Sequence, residues 1–239
     1  MKIVLGKWTR EMIGRLLLSA SEMKDPGRMV EFISGRLIGT AYRESTLTGG
    51  PGVREVLTIN LKEMDCFTYL DYVEAMRLSG NFSGFIENLK RVRYKGGVVS
   101  YGERNHFFTD WIEHNPDLVE DCTELVGGEK TRRVVIRLNV TENGTGILPG
   151  IRPEEREISY IPSGDIDLEV TGRMRTGDYV GIYSTKKGLD ASHVGIFIRK
   201  NDRPCFRHAS SREGIRRVID ESFTEYIRNF TGIIVLRPR

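Results

Sequence analysis

Cysteine is scarce in this chain of 239 residues: Cys66, Cys122 and Cys205 are the only three, and no two lie close together. An odd count at wide spacing excludes a disulfide-built scaffold and a cysteine-rich zinc site, and leaves open a single bridge between Cys122 and Cys205. The four histidines, His106, His114, His193 and His208, form no HExxH or related pattern, so no metal ion is expected. There is no glycine-rich phosphate loop, internal repeat or low-complexity tract, and no cofactor is called for. Long apolar runs are missing too. Leu16-Leu17-Leu18, the longest near the N-terminus, is too short for a membrane span or for the core of a signal peptide. As written, the chain is expected to stay in the cytoplasm; a leader already removed would place it in the periplasm or cell envelope instead. No charge dominates, with 36 Lys and Arg against 33 Asp and Glu and a net charge of +3. The charges are spread along the chain, so a nucleic-acid partner is not expected. Nor are there long heptads to demand assembly, and a monomer is the expectation.

What is present is an ordinary globular composition, 39% hydrophobic and 29% charged. That suits one domain over residues 1–239, with an insertion around 81–165. Apolar residues at helical spacing predict helices over 8–24 and 26–37. The β-branched alternation of EVLTINL predicts a strand over 55–61. Phe82, Phe85, Ile86 and Leu89 suggest a short helix, RRVVIRLNV a strand over 132–140, and 141–165 a loop-rich connection. The C-terminal third reads as strands at 177–183, 192–198, 204–209 and 233–236. Helices first and antiparallel strands afterwards mean an α+β fold.

Asp65-Cys66 is the stretch that organises the rest. Asp65 is a good N-cap, and Leu70 and Val73 share a helical face with Cys66. Ser79-Gly80 supplies a stop. A thiol in the first turn feels the positive end of the helix dipole, which predicts a pKa below that of free cysteine. Taken alone, Cys66 reads better as a small buried hydrophobe.

A histidine pair changes that balance. A hairpin turning on Asn201-Asp202 pairs positions that sum to 403, so His208 faces Gly195, which shares a sheet face with His193. Both imidazoles then sit side by side, one able to take a thiol proton and the other to fix its tautomer. A slip of one residue would separate them.

In order, GTAY (39–42), DCFTYLDYV (65–73), GDYVGIY (177–183), SHVGIFI (192–198) and RHAS (207–210) resemble the NlpC-type cysteine hydrolases, bacterial cell-wall peptidases and amidases with a papain-like fold. The flanking RYKGG and YGERNHFFTDW segments look like the N-acetylmuramoyl-L-alanine amidase-like branch of that group. The resemblance implies a nucleophile-bearing helix packed on a C-terminal antiparallel sheet. It further implies Cys66 as nucleophile, His193 as general base, His208 as the orienting residue and Tyr42 lining the cleft. Asp65 belongs to a segment that in endopeptidases helps bind a free peptide amine, but Phe67-Thr68 replaces the usual Ser-Gly and favours the amidase branch.

The implied reaction is hydrolysis of the amide joining the lactyl group of (anhydro)N-acetylmuramic acid to L-alanine. The resemblance implies a soluble muropeptide as partner, because that branch is associated with anhydro-muropeptide turnover, and the lack of a recognisable wall-anchoring module agrees. Arg104, His106 and Trp111, in the aromatic and basic region 93–115, are expected to contact it, although the residues alone favour core aromatics beside a solvated charged face. Two other functions stay open: cleavage between D-glutamate and the diamino acid of the stem peptide, and a non-catalytic binding protein on the same frame.

Overall fold

Helix starts in the N-terminal part are fixed by side chains that satisfy free amides. The computed structural model, which describes residues 1–239, opens with β1 (Lys2–Val4). Helix α1 (Arg10–Ser21) follows Thr9, whose hydroxyl accepts from the Met12 amide at 3.1 Å. In α2 (Pro26–Arg36), Asp25 accepts from the Arg28 amide at 2.8 Å and Pro26 occupies the first turn, where its missing N–H costs nothing. Both helices bury one apolar stripe; in α1 it is Ile13, Leu16, Leu17 and Ala20, while Met12 is exposed.

Next come β2 (Ala41–Tyr42), β3 (Thr48–Gly50), β4 (Val53–Val56), β5 (Thr58–Asn60) and β6 (Glu63–Met64). The strand expected over 55–61 is thus two strands with different partners. β4 closes a hairpin with β3, whereas β5 pairs in parallel with β1. Helix α3 (Cys66–Arg77) comes after, then α4 (Phe82–Arg93), longer than the short helix expected there.

α3 is the centre of the molecule. Every residue from Thr68 to Arg77 is buried, so the helix has no solvent face, and its charged groups survive there because each is partnered. Asp71 accepts from Arg93 at 2.7 Å, and Glu74 accepts from Arg77 and from the Tyr179 hydroxyl, both at 2.7 Å.

Beyond α4 the chain forms α5 (Asp110–His114), β7 (Val119–Asp121), α6 (Thr123–Gly127), β8 (Arg132–Leu138), β9 (Glu154–Pro162) and α7 (Leu168–Arg173). β9 corrects the expectation of a loop-rich 141–165: it pairs with β8 along its length, from Arg132 opposite Tyr160 to Leu138 opposite Glu154. Its exposed face is charged, which hides the alternation. The last elements are β10 (Tyr179–Tyr183), β11 (Ala191–Lys200), β12 (Arg203–Ser210), β13 (Arg217–Ser222), α8 (Phe223–Ile227) and β14 (Gly232–Pro238).

One mostly antiparallel, curled sheet runs in the order β6-β2-β13-β12-β11-β10-β14-β9-β8, with β7 also on β14. The larger of two core clusters, 34 residues, fills the space between α1 to α4 and this sheet; a second of 13 residues lies among β10 to β14, α6, α7 and α8. The aromatic region 93–115 feeds the first. Tyr94, Phe108 and Trp111 are all within 1% of full burial. No helix is long and apolar enough to cross a membrane, and all three cysteines are free thiols, so Cys122 and Cys205 are not bridged.

Candidate active site

Cys66 is the first residue of α3, and the turn that carries it is closed reciprocally. The Asp65 carboxylate accepts from the Thr68 amide at 2.8 Å, and the Thr68 hydroxyl accepts from the Asp65 amide at 3.0 Å. This is a capping box with threonine in the third position. Phe67 turns away and packs edge-on against Trp111, with ring centroids 6.1 Å apart. Cys66 as a residue is half-buried, while its thiol group lies deep in the molecule. Burial pushes its thiol up to about 12, with the Asp65 charge adding to the effect; the amides of Val194, Cys66 and Phe67 pull the other way and do not prevail. The expectation of a depressed thiol pKa is therefore corrected: at this helix start desolvation outweighs the helix-end amides.

The hairpin has the register the sequence predicts. Asn201 and Asp202 both adopt positive φ, 48° and 60°, as a two-residue turn of this hand requires. Lys200 pairs with Arg203 and Ile196 with Arg207, so the next position brings Gly195 opposite His208. His193 and His208 meet accordingly, His193 Nε2 lying 2.7 Å from His208 Nδ1 with the rings nearly perpendicular at 88°. Gly195 between them leaves space that a protein ring fills: a Cβ there would sit 2.5 Å from Phe206, which stacks on His208 with centroids 4.8 Å apart.

Two partners of this pair were not legible in the sequence. Glu221 Oε2 lies 2.8 Å from His208 Nε2, and the other oxygen of Glu221 is bound by Arg212. Glu221 pairs with Phe206 across β12 and β13, while Ile219 faces His208. Assigning β13 and its register would have placed Glu221 on the histidines' face. The Tyr226 ring covers His208 edge-on at 4.9 Å and also reaches His193, at 6.2 Å. Burial pushes His193 down to about 3, with His208 adding to it, and His208 down to about 4, with Arg212 adding and Asp220 opposing. Both rings are neutral at pH 7. Beside His193 opens a cavity of about 540 Å³ lined by Ser192, Arg212, Glu221, Glu225, Tyr226 and Phe230 among others.

The remaining expected residues divide. Tyr42 is half-buried on β2 beneath the Arg216 guanidinium; burial, then the nearby Cys66 and Asp65, hold its hydroxyl up near 12. Tyr42 therefore belongs to the Cys66 cluster. Arg104 and His106 do not. Arg104 donates to Glu55 at 2.5 Å and lies over Tyr101, while His106 Nε2 meets the Tyr101 carbonyl at 2.9 Å. The two border a separate cavity of about 380 Å³ with His114 and Arg152, and neither Cys66 nor His193 lines it. Trp111 is a correction: only 1% exposed, it packs between Phe67 and Tyr179, where it supports α3 and has no surface to offer a ligand. No group of three or more His, Cys, Asp or Glu side chains is placed to hold a metal ion.

Comparison with known proteins addresses the fold and the family. No curated protein matches the chain closely enough to count as a relative. Among solved structures, a Legionella pneumophila protein superposes with a TM-score of 0.80 at 24% identity, over 96% of this chain and 94% of that one. Two structures of an N-acetylmuramoyl-L-alanine amidase from Bacteroides uniformis give TM-scores of 0.72 and 0.71 at 24% and 22% identity, each over 95% of this chain and 99% of theirs. At those identities the likeness is one of fold. A family model described as AmiA-like, N-acetylmuramoyl-L-alanine amidase-like, matches residues 32–233 and so spans the Cys66 turn, the histidine hairpin and Glu221; the chain belongs to that family.

Proposed function

We propose that the protein is a papain-like cysteine hydrolase that cleaves the amide between the lactyl group of (anhydro)N-acetylmuramic acid and L-alanine in soluble peptidoglycan fragments. The observation that carries this reading is the His193–His208 bond on β11 and β12, beside a cysteine whose sulfur is flanked by the Val194 amide. Family membership supplies the amide class of bond.

The resting pair is a neutral thiol and a neutral imidazole, because burial disfavours both charges. Charge separation then accompanies attack. The Cys66 proton passes to His193 Nδ1, the nitrogen not engaged by His208, as the sulfur bonds to the lactyl carbonyl carbon. The carbonyl oxygen becomes the oxyanion, with the Cys66 amide at the helix start and the Tyr42 hydroxyl, which stays protonated, as its donors. The His193 imidazolium next protonates the nitrogen of L-alanine, the C–N bond breaks and the peptide departs with a free amine. Water, giving its proton to His193, opens the thioester to release the lactyl carboxylate and restore the thiol.

Cleavage within the stem peptide would need Asp65 free to bind a peptide amine. Here Asp65 Oδ1 caps α3 through Thr68, and Phe67-Thr68 stands where the endopeptidases carry Ser-Gly, which together favour the muramoyl amide. Mass spectrometry of a defined anhydro-muropeptide tests the choice. Release of the intact stem peptide starting with L-alanine is expected. An L-alanyl-D-glutamate fragment would move the scissile bond and overturn the proposed specificity.

A further inference from the structure

We propose that Glu221 is a positioning residue that fixes the tautomers of both site histidines, and through them keeps His193 Nδ1 free to accept a proton. The proposal rests on the reading of Cys66 and His193 given above and goes beyond it, since it names what orients the orienting residue.

Each step follows from the one before. A carboxylate only accepts hydrogen bonds, so the contact of 2.8 Å between Glu221 Oε2 and His208 Nε2 places the hydrogen on His208 Nε2. A neutral imidazole carries a single N–H, so His208 Nδ1 keeps its lone pair. That lone pair lies 2.7 Å from His193 Nε2, which must therefore be the donor. His193, also neutral, then has an unprotonated Nδ1 on the side not used by His208. When His193 takes the thiol proton, its Nε2–H still points to a lone pair, and the Glu221 charge lies one ring away to favour the cation.

The arrangement is held from all sides. Arg212 binds the second Glu221 oxygen from an exposed position, its side chain 57% accessible. Phe206 stacks on the His208 ring and Tyr226 closes its edge, so the ring cannot turn over without disturbing both. The charged and titratable groups around the chain of bonds are Glu221, Arg212, Asp220 and Tyr226, with Cys66 near Tyr226.

An amide in place of the carboxylate removes the single answer. In Glu221→Gln the side-chain NH₂ can donate to His208 Nε2, which reverses both bonds and puts the hydrogen on His193 Nδ1, where it blocks the base. The test is nitrogen-15 NMR of protein labelled at histidine, which distinguishes the two neutral tautomers without any substrate. Wild type is expected to show Nε2–H for both His193 and His208, and Glu221→Gln to show a growing share of Nδ1–H. The same variant should lose roughly tenfold or more in kcat with KM little changed, within the ~10²–10⁴-fold range of acid–base catalysis. Glu221→Asp keeps an acceptor-only partner and should keep the wild-type tautomers even where the shorter reach lowers kcat. A wild-type spectrum with Nδ1–H on His193 overturns the proposal by itself, whatever the variants do. So does Glu221→Gln with unchanged tautomers and kcat. Turnover retained by Cys66→Ala would instead contradict the nucleophile and leave the tautomer result standing on its own.

Discussion

At the scale of single residues the Cys66 thiol and the His193 and His208 imidazoles are neutral, with the charged Glu221 and Arg212 behind them. A cysteine at a helix start invites the expectation of a ready thiolate, but the count of atoms around the sulfur decides otherwise, and a sequence does not display burial at one atom. Burial holds the Cys66 thiol near 12, so its thiolate fraction around neutrality is small and should rise about tenfold per pH unit. Iodoacetamide labelling of Cys66 without substrate is therefore expected to accelerate steadily from pH 6 to pH 9. A plateau near neutral pH would mean a thiolate stabilised in the resting enzyme.

His193 and His208 carry a linked prediction. Their folded-state values, about 3 and about 4, lie below the ordinary imidazole value of 6.5, so the unfolded chain binds protons first. The stability from keeping them neutral is fully present above pH 6.5 and is lost as pH falls from there towards 4 and then 3. Thermal melts over that window should fall more steeply in the wild type than in His208→Gln, which lacks one of the two groups.

At the scale of elements, two features were legible because local rules carry them completely. The Asp65-Cys66 helix start follows from capping chemistry, and the histidine hairpin from a two-residue turn whose arithmetic fixes which residues oppose. Other elements were hidden because their cues lie elsewhere in the chain. β1 is three residues long and exists through its pairing with β5; β9 shows a charged face; Glu221 reaches His208 only through the pairing of β12 with β13. The aromatics of 93–115 allow both a ligand groove and core packing, because a sequence names aromatic rings without saying which way they point. Most of them turned inward under α3.

The hairpin also allows a sharp prediction. Gly195→Ala places a methyl group 2.5 Å from the Phe206 ring and 2.9 Å from the Arg207 carbonyl oxygen. Phe206 must move, and it is the ring that stacks on His208. The substitution should cost about 1–3 kcal/mol in denaturant unfolding, as overpacking does, and should lower kcat as well. Unchanged stability would show that Phe206 has room to yield.

For the whole molecule, the central fact is that α3 has no exposed face and carries Cys66, the proposed nucleophile, at one end. Its position is set from both sides, by α1, α2 and α4 and by the sheet, and the charges along it are matched by Arg93, Arg77 and Tyr179. Arg93 is itself only 1% exposed; it also donates to the Thr58 carbonyl at 2.7 Å and lies over the Tyr72 ring. Arg93→Met should therefore destabilise the fold by about 3–5 kcal/mol, because it leaves Asp71 buried without its cation. Asp71→Asn combined with Arg93→Met should recover part of that loss, since no unpaired charge then remains.

The most direct test of the account is turnover of a muropeptide by Cys66→Ala, set beside Cys122→Ala and Cys205→Ala with all three shown to be folded. The account predicts that Cys66→Ala loses hydrolysis entirely, while the other two, whose thiols lie outside the site, release peptide at close to the wild-type rate. Hydrolysis by Cys66→Ala at the wild-type rate would contradict the covalent mechanism and remove the reason for the histidine pair.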